Sequence, residues 1–182
     1  MTRPAPDRLS PAVFLDRDGT IMRDVNYCSD PKQVEIFSGV RGALVRLKQN
    51  GYKLVIISNQ SGIGRGYFSE EQFRFVQDAV DRKLAPAVID AVYYCPDKPD
   101  GGSIRRKPSP EMVFEAQRDH GIDLTRSFFV GDKAIDIQCG KDAGVRTVLV
   151  QTASGLHEKD TEADWVACDF TEATDIILEQ LK

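Results

Sequence analysis

No apolar run in this chain approaches the roughly eighteen residues of a membrane-spanning helix, so no membrane partner is expected. No apolar h-region stands near Met1, and no secretory signal is expected. Histidine is scarce, with only His120 and His157. The four cysteines, Cys28, Cys95, Cys139 and Cys168, form no Cys-x-x-Cys pair. A Cys/His zinc site has little to build from. Scattered thiols suit a reducing, cytoplasmic setting better than a disulfide framework. Excess positive charge is also missing: 24 Lys and Arg stand against 28 Asp and Glu, a formal net charge of −4. That balance gives no reason to expect nucleic acid. No internal repeat is visible.

What is there suits a folded enzyme-sized domain. The chain has 182 residues and 41% hydrophobic residues, enough to bury a sizeable core. Residues 1–11, with Pro4, Pro6 and Pro11, read as a disordered lead-in, and 12–182 as one domain. A monomer acting on a small molecule is expected.

Apolar strand-like runs alternate with helical patterns. Strands are expected at Ala12–Leu15, Lys53–Ile57, Val88–Cys95, Ser127–Val130, Arg146–Val150 and Trp165–Cys168. Between them, Val40, Ala43, Leu44 and Leu47 keep helical spacing, and Gly51 closes that helix. Ser69-Glu70-Glu71 opens another helix, and Gly62, Gly64 and Gly66 precede it in a glycine-rich loop. Ser109-Pro110-Glu111 reads as an N-cap serine followed by a first-turn proline. A last helix is expected from about Glu172 to Leu181. The alternation predicts an α/β fold with a doubly wound parallel sheet.

The stretch Phe14-Leu15-Asp16-Arg17-Asp18-Gly19-Thr20 draws attention first. A buried parallel strand ends on two carboxylates one residue apart, and chemistry collects at such strand ends. Close carboxylates repel unless a cation lies between them, and Mg²⁺ prefers such hard oxygen ligands. An EF-hand loop is excluded, because its twelfth position falls on Tyr27 instead of Glu. Further strand ends carry Ser58 and Asn59, Arg106 and Lys107, and Asp132 with Asp136. A parallel sheet brings those ends to one edge.

The pattern resembles the haloacid dehalogenase-like (HAD) hydrolase superfamily. Its four motifs appear as Asp16-Arg17-Asp18-Gly19-Thr20, Ser58, Lys107 and Gly131-Asp132-Lys133-Ala134-Ile135-Asp136. The resemblance implies a Rossmann-like, three-layer α/β/α core and a phosphatase. Asp16 would be the nucleophile and Asp18 the general acid and base. Ser58 and Lys107 would bind phosphoryl oxygens. Asp16, Asp132 and the Asp18 backbone carbonyl would hold Mg²⁺, with Thr20 and Asp136 supporting them. The gaps between motifs leave no room for a cap domain, so a capless member is expected.

Within that superfamily the chain resembles the heptose-bisphosphate and histidinol-phosphate phosphatase family. The resemblance rests on Ser58-Asn59-Gln60-Ser61-Gly62-Ile63-Gly64-Arg65-Gly66, Tyr94-Cys95-Pro96 and Arg106-Lys107-Pro108 as well as the first motif. It implies substrate contacts from Asp24, Val25, Asn26, Tyr27, Ser58, Asn59, Gln60, Ser61, Arg106, Lys107 and Lys133. The implied reaction removes the 7-phosphate of D-glycero-D-manno-heptose 1,7-bisphosphate. Arg106 and Lys133 suit its second phosphate. The alternative is histidinol phosphate or another small metabolite phosphate, with Asp24 or Asp97 meeting the amine. The family pattern includes a zinc-stapled loop, opened by Cys-Pro-His and closed by a Cys-x-Cys pair before Arg-Lys. Here Asp97 follows Cys95-Pro96, and Ile104-Arg105 stands where the pair would fall. Cys95 alone cannot supply four ligands, so no zinc is expected.

Overall fold

The apolar run Ala12–Leu15 forms strand β1, with all four side chains buried, at the middle of a six-stranded sheet. The computed structural model describes residues 9–152 and 161–181. β1 lies between β2 (Lys53–Asn59) and β4 (Phe128–Gly131), and Leu15 stands opposite Ile56 and Val130. With β3 (Ala91–Cys95), β5 (Arg146–Val150) and β6 (Trp165–Ala167), the order is β3-β2-β1-β4-β5-β6, and every neighbouring pair is parallel. The helices are α1 (Val40–Gln49), α2 (Ser61–Gly64), α3 (Glu70–Leu84), α4 (Glu111–His120), α5 (Ala134–Asp142) and α6 (Phe170–Glu179).

Strand alternation divides the core between two faces. Val13, Leu15, Leu54, Ile56, Phe128 and Val130 pack with apolar residues of α1, α3 and α6. Ala12, Phe14, Val55, Ile57 and Phe129 pack on the other side with Met112, Val113 and Ala116 of α4 and Cys139 of α5. The result is the expected Rossmann-like, three-layer α/β/α arrangement. Both faces of the central strands are covered, which is why these strands read as continuous apolar runs. Among the described residues, the β1–β2 connection holds a short 3₁₀ turn and α1, and the β2–β3 connection holds α2 and α3. Neither carries a cap module. No described helix is long and apolar enough to cross a membrane.

Several boundaries differ from the sequence reading. β3 starts at Ala91 instead of Val88, which is 64% exposed. The Asp90 carboxylate accepts from the Leu54 backbone and from Lys48, and pairing begins only after it. The glycine-rich loop contains the single turn α2, where a Cβ on Gly62 would overlap the Phe68 ring. At α4 the N-cap is Pro110, not Ser109; the Ser109 hydroxyl donates to the Ile104 carbonyl and also accepts the Glu111 N–H at 3.4 Å. α6 opens at Phe170 behind Asp169, whose carboxylate accepts from the Thr171 and Glu172 backbones at 2.8 and 2.9 Å. Within the expected disordered lead-in of residues 1–11, residues 9–11 are placed. Ser10 bridges to Ile122, its N–H donating to Gly121. Residues 1–8 lie outside the described residues.

Candidate active site

In this strand order the connections run to opposite sides from β1 and β4, so a crevice opens at their carboxyl ends. Asp16 follows β1 and Asp132 follows β4. Both are buried, as is Asp136 in the first turn of α5. One oxygen from each of Asp16, Asp132 and Asp136 lies within 4.8 Å of the others. Thr20 donates its hydroxyl toward Asp16 Oδ2 and Asp132 Oδ1, at 3.5 and 3.4 Å. Gly19 is required here: its φ is +99°, and a Cβ would overlap the Asp132 carboxylate.

Lys107 enters this cluster from the loop after β3. Its ammonium donates to Asp16 Oδ1 at 2.6 Å, Asp136 Oδ1 at 2.6 Å and the Ile57 carbonyl at 2.8 Å. All three protons are used. Burial opposes the charge, but the carboxylates of Asp136 and Asp16 outweigh it and raise the Lys107 pKa. Asn59 clamps the Lys107 peptide in both directions, accepting its N–H at 3.0 Å and donating to its carbonyl at 3.1 Å. Both Asp136 oxygens are engaged, one by Lys107 and one by the Lys133 backbone N–H. Burial pushes the Asp16 carboxyl up against the pull of Lys107.

Asp18 turns away from the cluster. Arg17 binds it through Nε and Nη2, the closest approach being 2.9 Å, and Gln60 donates to it at 2.8 Å. The same Gln60 amide lies 2.8 Å from Ser58 Oγ, so Gln60 joins the ends of β1 and β2. Sequence reasoning missed Arg17. Its side chain is buried, lies 5.2 Å from the Phe73 ring centre, and has no hydrogen-bond partner for Nη1 among the described residues. No local pattern marks an arginine after a strand for burial.

Asp18 and Gln60 also line a pocket of about 270 Å³. Asp18, Asn59, Gln60 and Ser61 line one side, Asp24, Asn26 and Tyr27 another, and Arg106 and Lys133 bring positive charge. Lys133 Nζ lies 3.4 Å from Asp24. Cys28 and Ile135 also line the pocket, and nothing in the sequence signalled them. Asn26 and Tyr27 both have left-handed backbone, with φ of 55° and 61°. The Asp24 carboxylate supports that turn by accepting from the Asn26 N–H at 2.9 Å. Tyr27 meets Tyr67 edge-on at 4.9 Å. Of the residues expected to contact substrate, Val25, Ser58 and Lys107 are not in the pocket lining: Val25 packs against the hydrophobic core, and Ser58 and Lys107 are buried.

The loop after β3 closes on polar contacts. Cys95 Sγ lies 3.5 Å from both Asp97 Oδ2 and Ser103 Oγ. Arg106 Nη1 donates to the Asp97 carbonyl at 3.0 Å.

The residues present fit a divalent cation. One buried ammonium faces three buried carboxylates, and net negative charge remains where hard oxygen ligands converge. The family model described as "HAD-hyrolase-like" matches residues 104–180. A D-glycero-beta-D-manno-heptose-1,7-bisphosphate 7-phosphatase of Photorhabdus laumondii is 43% identical over 86% of this chain and 87% of its own. The counterpart from Escherichia coli K12 is 39% identical over 94% and 96%. Among solved structures, a D,D-heptose 1,7-bisphosphate phosphatase from B. bronchiseptica, complexed with magnesium and phosphate, superposes with a TM-score of 0.86. It is 32% identical and covers 93% of this chain and 99% of its own. With that neighbour, the acidic cluster marks a divalent metal site. Fold, site and relatives agree that this chain belongs to the HAD-like hydrolases, in the family of the heptose-bisphosphate 7-phosphatases.

Proposed function

We propose that the chain is a Mg²⁺-dependent phosphatase that removes the 7-phosphate of D-glycero-D-manno-heptose 1,7-bisphosphate through an aspartyl phosphate. The observation that carries the reading is the buried cluster in which Lys107 holds Asp16 beside Asp132 and Asp136, with Asp18 on the wall of a pocket to which Arg106 and Lys133 bring positive charge. An Asp16 carboxylate oxygen bonds to phosphorus as the bond from phosphorus to the sugar oxygen breaks. Asp18 gives its proton to the leaving alkoxide. It then takes a proton from water, which attacks phosphorus and releases Asp16. Ser58 Oγ and Lys107 Nζ stabilise charge on the phosphoryl oxygens. Gln60, bound to both Asp18 and Ser58, keeps acid and hydroxyl on the same side. Asp16, Asp132 and the Asp18 backbone carbonyl would hold the Mg²⁺, which supplies Lewis-acid polarisation and offsets repulsion between carboxylate and phosphate. Thr20 and Asp136 orient those ligands.

Arg106 and Lys133 bind the second phosphate, and Asn26, Tyr27, Asn59 and Ser61 bound the sugar. The histidinol-phosphate alternative would meet the substrate amine with Asp24 or Asp97. Asp24 is paired with Lys133, and the Asp97 carboxylate faces Cys95. A cytoplasmic monomer without zinc completes the reading. Phosphate release with Mg²⁺ from both anomers of the heptose bisphosphate and from histidinol phosphate tests the proposal. A kcat/KM ratio of a hundredfold or more for a heptose anomer supports it, and equal slow rates on all three overturn the substrate. Stoichiometric zinc by elemental analysis, or a dimer by sedimentation, overturns those parts.

A further inference from the structure

The segment from Pro96 to Lys107 delivers two consecutive cations to the site, Arg106 and Lys107, and they are fixed differently. Lys107 is anchored by its surroundings, through Asn59 at the peptide and three acceptors at the ammonium. Arg106 is half-buried, and among the described residues its guanidinium hydrogen-bonds to the Asp97 carbonyl within the same loop. Its placement depends on how the loop is held. The loop has little apolar anchorage of its own: Gly101 and Gly102 are exposed, and Ile104 is 75% exposed.

Arg105 supplies the missing anchor. Its Nε and Nη2 donate to the two oxygens of Glu115, each at 2.8 Å, a bidentate pair. Its Nη1 donates to the Tyr94 carbonyl at 3.2 Å. Glu115 stands on α4, which is seated by the buried Met112, Val113 and Ala116. Tyr94 belongs to β3, paired with Ser58 of β2. One side chain therefore ties the loop to two rigid elements, immediately before the residue that reaches the pocket. The Arg105 N–H also donates to Ser103 Oγ at 3.3 Å, beside Cys95.

We infer that the Arg105–Glu115 pair is a positioning device that presents Arg106 to the second phosphate of the substrate. The inference rests on the functional reading above for what Arg106 meets. Lys107 has its own anchors, so the pair governs binding of the distal phosphate and not the chemical step.

The test uses the full chain with Arg105→Ala, Glu115→Ala, the double variant and Arg105→Lys. Michaelis constants are measured for heptose 1,7-bisphosphate and for p-nitrophenyl phosphate, which has no second phosphate. Each alanine variant is expected to raise KM for the bisphosphate about tenfold, the order of losing one charge-assisted contact. Its kcat and its constants for p-nitrophenyl phosphate should stay within about twofold. The double variant should be no worse than the weaker single, because both remove one interaction. Arg105→Lys, which keeps the charge but lacks the planar fork that matches both Glu115 oxygens, should fall between. Trypsin should cut Glu115→Ala after Arg105 or Arg106 faster than wild type. An unchanged KM for the bisphosphate, additive losses in the double variant, or equal loss on both substrates overturns the inference. A wild-type enzyme with no preference for the bisphosphate defeats the functional reading alone. The clasp is then judged by proteolysis, where faster cutting upholds it and equal cutting overturns it.

Discussion

Replacing Lys107 by Met keeps the length of the side chain and removes its charge. The ammonium donates to Asp16, Asp136 and the Ile57 carbonyl, and the Lys107 and Asp136 side chains are each 1% exposed. The substitution strands two buried carboxylates and a carbonyl. Breaking a buried ion pair on one side costs about 3–5 kcal/mol, because the remaining charge is uncompensated. Against a usual total of about 5–15 kcal/mol, the variant should still fold in the cold. At about 2–4 °C per kcal/mol for a chain of this size, Tm should fall by roughly 6–20 °C. Urea unfolding followed by circular dichroism, without added metal, gives the difference directly. In the variant, burial still pushes the Asp16 carboxyl up and Lys107 no longer pulls it down, so folded Asp16 binds its proton more tightly than unfolded Asp16. Stability then falls as pH rises from the ordinary carboxyl range to the raised folded value, so the deficit narrows on acidification. Adding Asp136→Asn removes one stranded charge and should recover a substantial part of the loss. Phosphatase activity, measured where the variant is folded, should drop by about a hundredfold or more through lost stabilisation of the phosphoryl group. A loss below about 1 kcal/mol, or no recovery from Asp136→Asn, would refute the argument that Lys107 compensates these carboxylates.

Gly19→Ala forces a Cβ into the Asp132 carboxylate at a φ of +99°. It should weaken activation by Mg²⁺ about tenfold or more, read as a shift in the Mg²⁺ titration of activity. Asp16→Asn should abolish phosphate release, and substantial remaining turnover would sink the covalent mechanism. Among the cysteines, Cys168 is exposed while Cys28, Cys95 and Cys139 are buried. Burial pushes the Cys139 thiol up to about 12. Ellman's reagent should therefore find one rapidly reacting thiol in the native protein, absent in Cys168→Ser, and the remainder only after unfolding.

The placement of strands and most helices was legible because burial on both faces leaves an unmistakable apolar run, as at Ala12–Leu15 and Lys53–Ile57. The errors fell where a side chain chose a partner outside its own segment. Ser109 was a plausible N-cap by type; its hydroxyl does accept the Glu111 N–H at 3.4 Å, but it donates to the Ile104 carbonyl across the loop and the helix opens one residue later, behind Pro110. Val88 looked like strand, but Asp90 caps the neighbouring β2 and delays pairing. Gly62 looked like loop freedom; it is close packing under Phe68. Arg17 and Arg105 carried no signal, since an arginine's role depends on the carboxylate it meets, Asp18 or Glu115.

By itself the sequence determined the alternation of strand and helix, the polar residues that follow each strand, and therefore the chemical repertoire. Those properties are local: periodicity and residue type are written in consecutive positions. The tertiary structure alone decided that β4 lies beside β1, setting Asp132 across from Asp16. It alone drew Lys107 between Asp16 and Asp136, 91 and 29 residues away. Strand order and loop closure are chosen by packing of the whole sheet, where each distant pair is favourable only once the others are buried.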